Sequence, residues 1–309
     1  MSSIDTSTAA TWRDYLELCK PNVVALMILT SVIGMLLATD QSIPIQILVF
    51  GNLGIALCAG SAAAVNHIVD RNVDDKMART ANRPIAQGRL EPQQAIIFAL
   101  VTGLAGMVIL LVFTNILTAW LTLASSVGYA FVYTMFLKRA TPQNIVIGGA
   151  AGAFPPMIGW AVATGSVSIE SVLMFALIFM WTPPHFWALA LFVKSDYGRA
   201  GVPMLTETHG RDVTRKHVIV YTLLLVPVAI GLGFTSIGGP VYLAVAVVMN
   251  AWFLKGAYDI WQRTDADCEA DKHKVEIKVF KVSLYYLFAH FGALLIEAAL
   301  RLYGIGGWA

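Results

Sequence analysis

The sequence predicts an all-α polytopic membrane protein: nine transmembrane helices around a central cavity, N-terminus cytoplasmic and C-terminus periplasmic. Three observations carry this. The 309 residues are 57% hydrophobic and only 13% charged, with mean hydropathy +0.69, about half the charge of an average soluble domain. Apolar stretches of bilayer length recur from end to end with no soluble insert. Of the 21 Lys and Arg residues, 20 fall on one side of those stretches, and only Arg301 lies near the other.

The spans are read at 22–38, 45–68, 93–114, 116–136, 143–164, 170–193, 217–235, 239–258 and 281–303. The first follows Lys20-Pro21, and proline is tolerated at a helix start because its missing N–H has no helical partner there. In the second, CAGSAAAVN (58–66) offers small residues for close helix contact, or room for a lipid tail. Spans five and six carry Pro155-Pro156 and Pro183-Pro184, each expected to break or kink its helix. Backbone freed at membrane depth must face protein or a cavity, so two kinked neighbours imply a widened cavity between them. His290 and Glu297, inside span nine, read as helix–helix hydrogen-bonding groups. The loops around Asp40, Asn115, Gly165 and Gly238 are nearly uncharged, so the cation-rich side is the cytoplasmic one.

Cys19, Cys58 and Cys268 have no metal-binding or haem-attachment spacing and read as unpaired thiols. The first 21 residues contain Asp5, Asp14 and Glu17 and resemble neither a signal peptide nor an Arg-rich transit peptide. That favours a bacterial inner membrane over an organelle. The chain reads as one transmembrane domain over 1–309, with 1–20 as a cytoplasmic N-terminal segment.

The chemistry concentrates where span two ends. NHIVDRNVDDKMARTANR (66–83) sets Asp70, Asp74 and Asp75 beside Arg71, Lys76, Arg79 and Arg83 at the membrane border, where charges are costly and functional by default. Asn66, Asp70 and Asp74 are four residues apart. On a continuing helix each is turned about 40° from the last, giving an oxygen-bearing stripe about 12 Å long. Such ligands suit Mg²⁺, which takes one or two carboxylates and shares its remaining shell with water and substrate phosphate. Arginines nearby grip phosphate oxygens bidentately. A solvated basic loop needs Lys and Arg but not three aspartates, so the metal–diphosphate reading is preferred.

Three other segments face the same side. KSDYGRAGVPMLTETHGRDVTRKH (194–217) puts Asp196 beside Lys194 and Arg199, with Gly198 and Gly201 between. It reads as a second metal ligand with a phosphate contact, or as a plain basic loop. In YTMFLKRATPQNIVIGG (133–149) Lys138 and Arg139 end span four, and Asn144 opens span five beside a Gly pair. In WTPPHFWALAL (181–191) His185 stands among Trp181, Phe186 and Trp187. It reads as a haem-iron ligand, a propionate contact, or a structural hydrogen bond filling the kink.

On these motifs the chain resembles the UbiA-type intramembrane prenyltransferases. Their signature NxxxDxxxD is Asn66-His-Ile-Val-Asp70-Arg-Asn-Val-Asp74 here. Within that superfamily, DDKMARTANRPIAQGRL, LKRATPQNIVIGGAAGAFPPMIGW, WTPPHFWALAL and DYGRAGVPML are similar to the haem-farnesylating branch. Two departures stand out. Where the broader superfamily has two or more aspartates in a second motif, only Asp196 remains, with Ala200 four residues on; and Asn22 follows Lys20-Pro21 where many relatives have Arg.

The resemblance implies farnesyl transfer from farnesyl diphosphate to a vinyl group of haem B, with water added, giving haem O and diphosphate. It implies Mg²⁺ on Asn66, Asp70, Asp74 and Asp196, with haem B as substrate rather than cofactor. Asp70, Asp74, Lys138 and Asp196 are then the catalytic groups, and Asn66, Arg79, Arg83, Lys194, Tyr133, Asn144 and His185 contact substrate. The phosphate contact of the missing arginine is either absent or replaced by Lys20, and Tyr129, Tyr133, Phe154 or Trp160 shield the allylic cation. The expected setting is a bacterial inner membrane with the site facing the cytoplasm. Terminal-oxidase assembly or haem A synthesis proteins are the expected partners, with no role for nucleic acid.

Two competing readings remain. A prenyltransferase for an aromatic acceptor such as a quinone precursor shares the Asp sites, but PPHFWALAL and the single second-motif aspartate favour haem. A transporter or haem-binding membrane protein places acids and broken helices near the midplane in both halves, whereas these acids cluster at one face.

Overall fold

The computed structural model describes residues 10–74, 80–193 and 203–308, the side chain of Val73 excepted. Asp75, Lys76, Arg79, Lys194, Asp196, Gly198, Arg199, Ala200 and Gly201 therefore lie outside the described residues. Every described element is a helix. The N-terminal pair, α1 (Trp12–Leu18) and α2 (Pro21–Leu37), meets at 55°. Lys20 makes that bend with φ 51°, a left-handed conformation that costs a non-glycine residue roughly 1–2 kcal/mol.

Eight long apolar helices follow: α3 (Ile45–Asp74), α4 (Pro92–Phe113), α5 (Ile116–Val127) with its continuation, α7 (Asn144–Thr164), α8 (Ile169–Phe192), α10 (Gly210–Gly233), α11 (Pro240–Trp261) and α13 (Lys274–Leu302). The continuation of α5 is a π-helical segment (Gly128–Leu137) and the single turn α6 (Lys138–Ala140). Two short helices, α9 (Leu205–Thr208) and α12 (Asp265–Ala270), lie between the long ones. With the bent pair counted as one span, the nine expected spans are present. Their ends differ: α3 continues past residue 68, and α10 and α13 begin several residues before 217 and 281.

Small residues set the closest contacts. On α3 and α4 a Cβ at Gly54 or Gly106 would meet the other glycine's carbonyl oxygen at 3.1 and 2.8 Å, and Ser61 Oγ donates to Ala99 O at 2.7 Å. The small-residue stretch of span two is thus a helix contact. Between α2 and α7, a Cβ at Gly34 would lie 2.1 Å from Pro156 O, and one at Gly159 would lie 2.0 Å from Ser31 O.

The proline pairs depart from expectation. Both α7 and α8 run through Pro155-Pro156 and Pro183-Pro184 as single helices, and instead of a widened gap Gly149 meets Thr182, with an added Cβ 2.7 Å from Thr182 Cγ2. Tertiary packing of the buried prolines outweighs their local tendency to break a helix.

The bundle buries its apolar faces in one large core of α7, α8, α10, α11 and α13 and smaller clusters under α1 to α5. At the end away from the aspartates, Glu297 is fully buried and accepts from Tyr242 N at 3.0 Å and Gly307 N at 2.8 Å. It caps the start of α11, with charge-assisted bonds of about 1.5–3 kcal/mol each. His290 Nδ1 contacts Tyr286 O at 2.8 Å on its own helix. The three cysteines are free thiols.

Candidate active site at the end of the third helix

Because α3 continues to Asp74 as one helix, Asn66, Asp70 and Asp74 form the expected stripe. All three are at most 4% exposed. Lys20 Nζ donates to Asn66 Oδ1 at 2.6 Å, and Asn66 Nδ2 donates to Asp70 Oδ2 at 2.7 Å. Lys138 Nζ reaches the same Asp70 oxygen at 2.5 Å, with Arg139 at 3.9 Å from the other. Arg83 grips both oxygens of Asp74, at 2.8 and 2.7 Å. Burial raises the Asp74 carboxyl above its usual range, against the opposing pull of Arg83. Four cations thus surround two carboxylates, an excess suited to a more highly charged anion.

Lys138 reaches Asp70 only because the end of span four is not α-helical. Nine residues separate Tyr129 from Lys138, two and a half turns at 3.6 residues per turn, which would put them on opposite faces. The wider i→i+5 turn brings nine residues to about two turns. One face then carries Tyr129, Tyr133 and Lys138 toward α3. Thr134 Oγ1 donates to Tyr129 O at 2.7 Å within the segment, and Asn66 Nδ2 lies 3.5 Å from Thr134 Oγ1. Tyr129 and Tyr133 stack with ring centroids 5.7 Å apart, and Lys20 Nζ lies 3.4 Å from Tyr129 Oη. Gly148 admits the Tyr133 ring, since a Cβ there would lie 2.7 Å from it.

The other sequence candidates separate. Asn144, 1% exposed, donates to Lys138 O at 3.1 Å and Pro203 O at 3.4 Å, so it clasps the residues just before α9 against the α6 turn. His185 Nδ1 meets Ser283 Oγ at 2.7 Å. Since Ser283 already donates to Phe280 O at 2.6 Å, the imidazole is the donor and its Nε2 is the acceptor nitrogen. The ring stacks between Trp181 and Phe280, centroids at 4.3 and 4.8 Å. That is the structural hydrogen bond among its three readings, and it leaves Nε2 in the form a metal ligand requires. Phe154 packs on Phe175 at 4.9 Å. Trp160 is sixteen residues beyond Asn144, about 24 Å along the helix, in the large core. Of the four proposed aromatic shields, Tyr129 and Tyr133 adjoin the stripe and Trp160 does not. Arg79, Lys194 and Asp196 lie outside the described residues.

Sequence reasoning missed two features. One is His67, 3% exposed, with neither ring nitrogen hydrogen-bonded. The other is a partly buried ion-pair cluster around the loop after α11. Arg263 pairs with Asp271 at 2.7 Å and Glu276 at 3.1 Å, Arg215 with Asp212 at 2.5 Å and with Asp265, and Cys268 Sγ lies 3.2 Å from Glu276 Oε1. Cys268, His273 and Glu276 have ligand atoms within 4.8 Å of one another. The two guanidiniums already supply the positive charge that a metal would bring, so the cluster serves as a brace joining α10, α12 and α13.

Residues 27–300, from within α2 almost to the end of α13, match the UbiA prenyltransferase family. The chain belongs to that family. Relatives named protoheme IX farnesyltransferase include that of Cereibacter sphaeroides, 56% identical over 97% of this chain and 96% of its own. Another, from Roseobacter denitrificans, is 57% identical over 96% and 94%. Among solved structures the fold is similar to a digeranylgeranylglyceryl phosphate synthase (TM-score 0.75, 18% identity, 93% of this chain and 98% of that one). It is also similar to a UbiA homologue from Archaeoglobus fulgidus bound to GPP and Mg²⁺ (TM-score 0.68, 16% identity, 91% and 99%). This UbiA-family chain is accordingly a multi-pass membrane prenyltransferase.

Proposed function

We propose that this UbiA-family enzyme transfers the farnesyl group of farnesyl diphosphate to a vinyl group of haem B, with addition of water, giving haem O and diphosphate. The observation that carries the diphosphate half is the buried Asn66–Asp70–Asp74 stripe ringed by Lys20, Arg83, Lys138 and Arg139. The acceptor rests on relatives bearing that activity at 56% identity across nearly the whole chain.

The donor set fits a hard divalent cation. Asp70 Oδ1 is buried without a hydrogen-bond partner, an acceptor oxygen available to a cation. Asn66, Asp70 and Asp74, with Asp196, would hold Mg²⁺, whose chemistry there is charge neutralisation on the departing diphosphate. The C1–O bond of farnesyl diphosphate breaks with both electrons leaving on diphosphate. The allylic cation adds to the vinyl terminus, and water captures the cation formed beside the porphyrin ring, losing one proton. Lys138 spends one of its three N–H donors on Asp70 and offers the others to a phosphate oxygen. Lys20, at the bend before α2, spends one donor on Asn66 and offers the others likewise, while Tyr129 and Tyr133 present π faces where positive charge develops. Arg79 and Lys194 would add phosphate contacts.

The charge asymmetry supports a setting in a bacterial inner membrane with this end of the bundle in the cytoplasm, and the same reaction would have haem A synthesis or oxidase-assembly proteins downstream. The test is purified protein with farnesyl diphosphate and Mg²⁺, offered haem B and an aromatic acid together. Mass spectrometry should find the farnesylated, hydrated haem. A prenylated aromatic acid with untouched haem overturns the assignment.

A further inference from the structure

Beside the stripe, on the far side of Lys20 and Arg83, a cavity of about 490 Å³ opens between α1, the start of α2 and α3. Its polar wall includes Arg13, Lys20, His67 and Arg83, and Leu16 and Val23 give it an apolar side. Asp70 and Asp74 do not line it. A metal–diphosphate unit needs those carboxylates, so this space suits a different anion. His67 adds the most specific signal. It is 3% exposed with both ring nitrogens unpartnered, and a buried polar group without a partner is destabilising. A ligand oxygen would remove that cost. Lys20 and Arg83 tie the two compartments together, each facing the cavity while bonded to Asn66 or Asp74.

We propose that this cavity seats the carboxylate edge of the acceptor porphyrin, with Arg13 and His67 as its specificity contacts and Leu16 and Val23 against the macrocycle. The assignment rests on haem being the acceptor. Lys20 and Arg83 then sense both substrates, which aligns the vinyl edge with the farnesyl C1 held over the stripe.

The probes are haem B and its dimethyl ester, which keeps the macrocycle and vinyl groups but lacks the carboxylates. For the parent enzyme the ester should show a KM about tenfold higher, the scale of a charged hydrogen bond, at an unchanged KM for farnesyl diphosphate. In Arg13→Ala, and in His67→Phe, that acid-to-ester ratio should collapse toward one. Arg13 is exposed, so its variant tests the idea even if the buried His67 variant misfolds. A parent enzyme that turns over acid and ester equally well overturns the subsite while sparing the haem reading. So do variants that raise the KM for farnesyl diphosphate and keep the ratio. A parent enzyme that farnesylates neither removes both.

Discussion

Replacing Asp70 with asparagine keeps its volume and deletes the charge that Lys138 and Arg139 surround. Turnover should fall at least 100-fold, the scale of losing one preorganised electrostatic contact in a dry site, with the protein still folded in membranes. Lys138→Met makes a sharper distinction. If Lys138 only anchors the loop, activity survives; if it binds departing diphosphate, kcat should fall by about 100-fold while haem affinity holds, read by steady-state kinetics and haem titration. Asn66 has two jobs, bridging Lys20 and Asp70. Its alanine variant should lose both and resemble the Asp70 variant rather than a mild one. Much of this was legible: the four-residue spacing placed the stripe, and a helix continuing past the apolar run was enough to predict one face. His67 was not legible, because only packing shows that its ring nitrogens lack partners.

At the scale of elements, the π segment is where sequence patterns gave no warning. Its residues, GYAFVYTMFL, are as apolar as most of the α-helical spans, and the wider turn is held by packing against α3 and α7. Inserting one alanine beside Val132, 48% exposed, should turn Lys138 by roughly 100° and swing it off Asp70. Activity should disappear although the variant still inserts in membranes, and normal activity would refute the phase argument. Gly148→Ala should displace Tyr133 and lower kcat with little loss of stability. The proline pairs were misread because periodicity and local propensity cannot see that Gly34 and Gly159 bring α2 against α7. At Gly159 even a methyl group must shift backbone, so Gly159→Ala should destabilise the bundle by roughly 1–3 kcal/mol, read as a lower thermal midpoint in detergent.

For the whole molecule, the feature that organises function is one-sidedness. The stripe, its cations, the cavity beside them and the Arg215–Asp265 and Arg263–Glu276 brace gather at one end of the bundle. The other end holds structural caps such as Glu297 and Arg301, which donates to Ser236 O. Charge distribution made that asymmetry readable from sequence alone, since cations choose the cytoplasmic side. Single cysteines introduced at Asp265 and Gly165, with the native thiols removed, should react with a membrane-impermeant reagent from the cytoplasmic and periplasmic sides respectively.

The most direct test of the central claim follows diphosphate release and haem farnesylation together in membranes containing parent, Asp70→Ala or Asp74→Ala protein at equal expression. The account predicts stoichiometric release and transfer for the parent with Mg²⁺ and loss of both for either variant. Parent-like release and transfer by both variants would contradict it.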